Sequence, residues 1–344
     1  MGVILSLTAL VALALIGLAL NTWLACRAIE RRFPPMGTLA NVNGRAIHYV
    51  ERSGHPALTP VVFVHGASGN LRDQLAAFED TLAGLSEARR PRTIYVDRPG
   101  AGYTERRSGD HDPDEQAQVV VDLLDALEIP RAVVCGHSYG AGVAATFAAV
   151  HPERAAGIAL LAPASHPWPG RLVWYYRLVG SRLLRHLSAW TFILPVGRRM
   201  LDGGVAVTFA PNPVPTGYAE GAGIELLFRP ANFLANASDI NHIKRYAAKL
   251  SPRYAGIACP TYICAGDEDR VVRSTIHAMG LYRAIPHARM DWYEGVGHKP
   301  DYVLTDLIVE ELVRMATPPF RVIANPERQV ERELTVEPFR AAAE

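Results

Sequence analysis

Residues 132–142 read Ala132-Val133-Val134-Cys135-Gly136-His137-Ser138-Tyr139-Gly140-Ala141-Gly142. Four consecutive apolar residues suit a short strand covered on both faces. The small residues that follow, through Ala141 to Val150, suit a helix packed closely on that strand. Between the two lies G-x-S-x-G, with Ser138 on the turn. A serine on so sharp a strand-to-helix turn sits at a strained backbone angle, and its neighbours must be nearly free of side chains. Gly136 and Gly140 meet that need, and Gly142 lets the helix approach the sheet.

Outward from this stretch, apolar segments and helical patterns alternate. Gly44 to Val50 reads as a strand after a turn, and Val61 to Val64 and Thr93 to Val96 as buried strands. Leu71 to Leu85 and Asp114 to Leu127 have helical spacing. Gly157 to Ala162 is a further strand. The rhythm resumes with strands at Thr261 to Ala265 and Ala288 to Tyr293, and helices at Ser274 to Ala284 and Asp301 to Met315. This order predicts an α/β fold: a mostly parallel sheet with helices on both faces. Between about Pro163 and Ser251 the rhythm breaks. Trp168, Trp174, Tyr175, Tyr176, Trp190, Phe192, Phe209, Phe228 and Phe233 crowd a helical stretch without a convincing strand. An inserted helical cap is the natural reading, its aromatic residues forming either an apolar pocket lining or the cap's own core.

A serine hydroxyl needs a base, and the base needs an orienting acid. Both types follow downstream. Asp267 and Asp269 lie in a loop just past the strand at 261–265, and His298 lies in Gly295-Val296-Gly297-His298 just past the strand at 288–293. Each leaves the carboxyl edge of a strand, the edge that carries sites in open α/β sheets. The glycine-rich loop His65-Gly66-Ala67-Ser68-Gly69 follows the strand at 61–64. Its backbone amides, together with that of Tyr139, could face a developing oxyanion.

These motifs, with Asp97-Arg98-Pro99-Gly100-Ala101-Gly102, resemble the α/β-hydrolase superfamily, specifically its single-domain branch with an inserted cap. The resemblance spans about residues 40 to 316. It implies Ser138 as nucleophile, His298 as base, and an acid three residues after the loop glycine, which selects Asp269 over Asp267. It implies the Ala67 and Tyr139 amides as oxyanion donors, with His65, Gly66, Gly136 and Gly140 as structural motif residues. A proline is frequent four residues beyond the acid in such proteins; here Arg273 stands there. Asp97 is structural in that pattern. A serine nucleophile argues against epoxide hydrolase and haloalkane dehalogenase chemistry, which use a carboxylate. Acyl transfer on a small-to-medium lipophilic ester is the expected activity. A carbon–carbon bond hydrolase, a cofactor-free haloperoxidase-like enzyme and a non-catalytic binding module on the same fold are the alternatives.

The N-terminus carries a separate signal. No charged side chain occurs from Val3 to Cys26. As a helix this run is about 36 Å long, enough for a hydrocarbon core of about 30 Å. A cleaved signal peptide would want a basic start and a shorter apolar core. Cys26 after Leu24-Ala25 is reminiscent of a lipidation site, but Trp23 does not fit one. An uncleaved single-pass anchor through residues 3–26 is expected. Arg27, Arg31 and Arg32 follow the span and nothing basic precedes it, which places the body on the cytoplasmic side. Arg171, Arg177, Arg182 and Arg185 lie in a tryptophan- and leucine-rich stretch that could touch a membrane, or simply form a solvated helix face.

The expected organisation is an anchor (1–26), a linker (27–40), a first core part (41–162), the cap (163–251), a second core part (252–316) and a polar tail (317–344). The chain has 344 residues and a formal net charge of +1, so no strong field favours nucleic acid. Cys26, Cys135, Cys259 and Cys264 form no metal or disulfide pattern. No cofactor or metal is expected, and the partner is a lipophilic small molecule.

Overall fold

The computed structural model describes residues 2–170, 176 and 184–319. Arg171, Trp174, Tyr175, Arg177, Arg182 and the tail from Phe320 lie outside the described residues. The chain opens with helix α1 (Gly2–Arg32), then β1 (Thr38–Val42) and β2 (Arg45–Arg52), an antiparallel hairpin. The hairpin turns on Asn43 and Gly44, both at positive φ (51° and 75°). Asn-Gly is the dipeptide that tolerates this two-residue geometry.

From β3 onward the strands run parallel and helices connect them: β3 (Val61–Val64), α2 (Leu71–Gly84), β4 (Thr93–Val96), α3 (Pro113–Ala126), β5 (Ala132–His137), α4 (Tyr139–Val150) and β6 (Ala155–Leu161). Caps set the helix starts. The Asn70 side chain accepts from the Arg72 amide, and Asp112 accepts from the Asp114 amide ahead of Pro113. After β6 the regular elements among the described residues are helical, including α5 (Arg185–Thr191), α6 (Ile193–Phe209), α7 (Tyr218–Gly221) and α8 (Pro230–Leu250). The sheet is rejoined by β7 (Thr261–Gly266), α9 (Ser274–Ala284), β8 (Arg289–Tyr293), α10 (Pro300–Val303) and α11 (Thr305–Ala316).

The eight strands lie in the order β1-β2-β4-β3-β5-β6-β7-β8. Hence the α/β fold read from the sequence is present. β3, β5, β6 and β7 are buried along their whole length, which explains their unbroken apolar runs. One core layer gathers Val62, Val64, Val134, Phe147 and Leu281 on one face, and the other gathers Phe63, Phe78, Cys135, Leu161 and Leu312.

Three features differ from the sequence reading. The first helix does not stop at Cys26: it continues to Arg32, with Ile29 and Phe33 buried against Leu194, Leu226 and Phe228. Hydropathy ends at the first arginine, but the residues after it are still good helix formers. β1 occupies Thr38 to Val42, where a linker to residue 40 was expected; as an exposed edge strand it lacks a buried alternation. The last helix is broken at Leu304 into α10 and α11.

The aromatic residues between β6 and β7 divide into two sets. Phe209, Phe228 and Phe233 enter interior clusters, while Trp190 and Phe192 face outward.

Candidate active site

Ser138 is the turn between β5 and α4. Its φ is 54° and ψ −115°, a conformation that costs a non-glycine residue about 1–3 kcal/mol. Close packing enforces it. A Cβ on Gly136 would come 2.3 Å from the Gly140 carbonyl oxygen, and one on Gly140 would come 2.1 Å from that of Val64. Both glycines are therefore required by contact with backbone, which cannot move aside.

The register of the sheet brings the remaining residues to the same edge. Val64 pairs with Gly136, and Gly266 pairs with Tyr293, so the loops after β3, β5, β7 and β8 emerge together. His298 Nε2 lies 3.0 Å from Ser138 Oγ, and His298 Nδ1 lies 2.7 Å from Asp269 Oδ2. All three side chains are buried. A carboxylate only accepts, so Nδ1 carries the proton and Nε2 is left to accept from the serine hydroxyl. The other oxygen of Asp269 accepts from the Val271 and Val272 amides at 2.9 and 2.8 Å, which fixes the carboxylate plane. Asp267 is exposed and accepts from the Gly295 amide instead.

Gly66 abuts the serine, since a Cβ built there would lie 3.2 Å from Ser138 Cβ. His65 holds this loop from beneath. Its Nδ1 faces the Gly66 carbonyl at 2.7 Å, and its Nε2 accepts from the Arg98 amide at 3.0 Å. Burial, aided by the Arg98 charge, lowers its pKa to about 4 and keeps it neutral. Asp97 accepts from the Leu71 and Tyr103 amides and from His48, a structural role.

Behind His298 lies a buried polar network absent from the sequence reading. His137 Nε2 is 2.8 Å from the His298 carbonyl, so it donates there. Burial, with the Lys299 charge, lowers the His137 pKa to about 4 despite the opposing pull of Asp301. Lys299 Nζ sits 2.8 Å from Asp73 and 3.0 Å from Asp301. Burial alone would raise the Asp73 carboxyl and lower the Lys299 ammonium. The Lys299 charge pulls Asp73 back down, and the Asp301 and Asp73 carboxylates together raise Lys299. Tyr218 and Tyr302 also donate to Asp73, each at 3.1 Å. Asp73, His137 and Asp301 have ligand-type atoms within 4.8 Å of one another. The Lys299 ammonium already supplies positive charge to two of them. Nothing in the sequence pairs Lys299 with residue 73, because the contact spans 226 positions.

A family model described as "Alpha/beta hydrolase family" matches residues 61–309. The dihydrolipoyllysine-residue acetyltransferase component of an acetoin cleaving system from Pseudomonas putida is 35% identical over 130 residues, 38% of this chain and 33% of that protein. A 2-hydroxymuconate semialdehyde hydrolase from Pseudomonas sp. (strain CF600) is 32% identical over 138 residues, 39% of this chain and 48% of that one. The chain thus spans between a third and a half of these curated relatives. Among solved structures, a bacterial membrane phospholipase A superposes with a TM-score of 0.63 at 20% identity, covering 91% of this chain and 96% of that one. The match over most of the chain, on a sheet of this order with an elbow of this kind, makes the protein a member of the alpha/beta hydrolase family.

Proposed function

We propose that the chain is a membrane-anchored serine hydrolase acting through an acyl-enzyme on a lipophilic ester. The observation that carries this is the alignment Ser138–His298–Asp269 at 3.0 and 2.7 Å. In this mechanism Ser138 Oγ attacks the ester carbonyl while His298 Nε2 takes its proton. Asp269 holds the imidazole and stabilises its cation. The amides of Ala67 and Tyr139 face the oxyanion of the tetrahedral intermediate. His298 then returns the proton to the leaving alcohol. Water attacks the acyl-enzyme by the same route in reverse and regenerates Ser138.

The lipophilic class rests on the surface around the first helix. α1 is long and apolar enough to cross a bilayer, and its C-terminal turns are built into the body. Tyr103 donates to the Phe33 carbonyl, Arg229 pairs with Glu30 at 3.4 Å, and Arg32 pairs with Glu220. That integration favours a retained anchor over a removed leader. Beside it, α6 buries Leu194 and Phe209 on one face. On the opposite face it exposes Phe192 at its cap, Val196, Met200 and Val207 at helical spacing. An apolar outer stripe next to a spanning helix suits contact with lipid, and the likeness to a membrane phospholipase A agrees. We read residues 163–251 as the cap, and the arginines after the span favour a body on the cytoplasmic side.

The test is hydrolysis of p-nitrophenyl esters of increasing acyl length by detergent-solubilised protein. An optimum at medium or longer chains supports the reading, whereas activity confined to acetate removes the lipophilic class. The semialdehyde hydrolase likeness favours carbon–carbon cleavage as the second reading, recognised by turnover of a vinylogous diketone with no ester turnover. Protease protection in spheroplasts tests the side of the membrane: digestion of the body from outside would reverse the orientation.

A further inference from the structure

We propose that helix α8, between β6 and β7, sets the oxyanion hole of the reaction proposed above: Asn236 directly, and Asp239 through Arg98, fix the two peptide planes that flank Ala67. The inference rests on the reading of Ser138 as nucleophile.

Arg98 is buried, and its donors converge on the loop after β3. Nε donates to the His65 carbonyl at 3.0 Å and Nη2 to the Gly66 carbonyl at 3.1 Å. Nη1 donates to Gln116 at 3.0 Å and to Asp239 at 2.8 Å. The guanidinium carbon also lies 4.4 Å from the ring centre of Tyr139, the residue bearing the other proposed oxyanion donor. A single planar group thus touches both sides of the hole.

Peptide geometry turns these contacts into orientation. In a trans peptide the C=O and N–H point in opposite directions. With the Gly66 carbonyl drawn to Arg98, the amide of Ala67, in the same plane, must point away from the guanidinium. The next plane is held from its other end. Asn236 Oδ1 accepts from the Ser68 amide at 2.7 Å, and its Nδ2 donates to Ser68 Oγ at 3.1 Å. Ser68 has φ 62°, a conformation a non-glycine residue keeps only when its surroundings demand it. Both peptide planes around Ala67 are therefore pinned, and neither can rotate without breaking a bond to Arg98 or Asn236.

Asn236 and Asp239 lie three residues apart on one face of α8. Asp239 is a fixed counter-ion. Its second oxygen takes Arg106 at 2.7 Å, and Gln116 lies 3.3 Å from the first. Movement of α8 away from the sheet would free the Ser68 amide and strip Arg98 of its counter-ion, leaving the Gly66 carbonyl to His65 and an unbalanced Arg98. Arg98, Asn236 and Asp239 are positioning residues: they act through the loop and touch no reacting atom.

The experiment uses full-length protein in detergent and compares wild type, Asn236→Ala and Asp239→Asn. The readouts are steady-state hydrolysis of p-nitrophenyl butyrate and inhibition by an alkyl trifluoromethyl ketone, whose serine adduct carries an oxyanion. The expected result is a fall in kcat of about ten- to a hundredfold with KM within about threefold of wild type. Ketone affinity should weaken by the same factor as kcat/KM, because both report transition-state stabilisation. A merely structural role would lower the melting temperature and leave kcat and ketone affinity of the folded variant unchanged. Asn236→Ala loses no charge partner, so it carries the test if Asp239→Asn folds poorly. A folded Asn236→Ala variant with kcat and ketone affinity within twofold of wild type overturns this inference alone. Wild-type protein unreactive toward a fluorophosphonate overturns the nucleophile reading and the inference together.

Discussion

Replacing Asp269 by asparagine is the substitution whose effect the geometry defines best. The carboxylate has two duties on two oxygens: Oδ1 accepts from the Val271 and Val272 amides, and Oδ2 accepts from His298 Nδ1 at 2.7 Å. An asparagine has one acceptor and one donor end. The two backbone amides claim the carbonyl oxygen, which turns the NH2 group toward His298. A donor facing Nδ1 selects the tautomer protonated on Nε2, and that nitrogen can no longer accept the Ser138 proton at 3.0 Å. Loss of the correct tautomer and of the charge opposite the imidazolium is expected to lower kcat by about 10⁴, or roughly 5.5 kcal/mol of barrier. KM should change little, since neither group faces the substrate. Asp267→Asn is the internal control. That residue is exposed and serves only the Gly295 amide, so kcat should stay within about threefold. Both variants are assayed with a p-nitrophenyl ester at matched concentrations of folded protein. An Asp269→Asn enzyme retaining a tenth of wild-type kcat, or an Asp267→Asn enzyme that is the more impaired of the two, would refute the reasoning.

Three further outcomes follow from the same structure. His65, His137 and His277 are buried with pKa values lowered to about 4, chiefly by desolvation. The unfolded chain therefore binds more protons below pH 6.5, and their contribution to stability is complete above that value and is lost as pH falls toward 4. Unfolding free energies from urea titrations should fall by several kcal/mol in total between about pH 6.5 and 4, and a flat profile would contradict the burial of neutral histidines. Lys299→Met leaves Asp73 and Asp301 unpaired and should cost about 3–5 kcal/mol, partly recovered when Asp73→Asn is added; thermal unfolding of the single and double variants measures both. Removal of residues 2–26 should free the protein from membranes with activity on short esters intact. Removal of residues 2–36 also strips Ile29 and Phe33 from Leu194, Leu226 and Phe228 and should lower the melting temperature; equal stability of the two truncations would show that this contact contributes nothing.

Much of the fold was legible because burial leaves a plain signature. β3, β5 and β7 are covered on both faces, so their sequences are continuous apolar runs. The glycines around Ser138 are fixed by backbone contacts that no other residue permits. β1 was not legible, being an exposed edge strand that follows two prolines. Nor was the end of α1, where charged residues continue the helix after hydropathy stops. Within the site, the sequence alone left Asp267 and Asp269 as two acids of one loop. The turn after β7 sends the second inward to His298 and leaves the first exposed. The residues that hold the site were out of reach for a different reason. Arg98 meets Asp239 across 141 positions and Asp73 meets Lys299 across 226, and such pairings arise only when the sheet and the inserted helices are assembled.

The most direct test of the central claim is covalent labelling by a fluorophosphonate, comparing wild type with Ser138→Ala in detergent. Ser138 Oγ stands at the end of a strained turn with His298 Nε2 3.0 Å away, so the wild type should label within minutes and the variant not at all. Folded wild-type protein that stays unlabelled, or a Ser138→Ala variant that labels equally well, would contradict the assignment of Ser138 as the nucleophile.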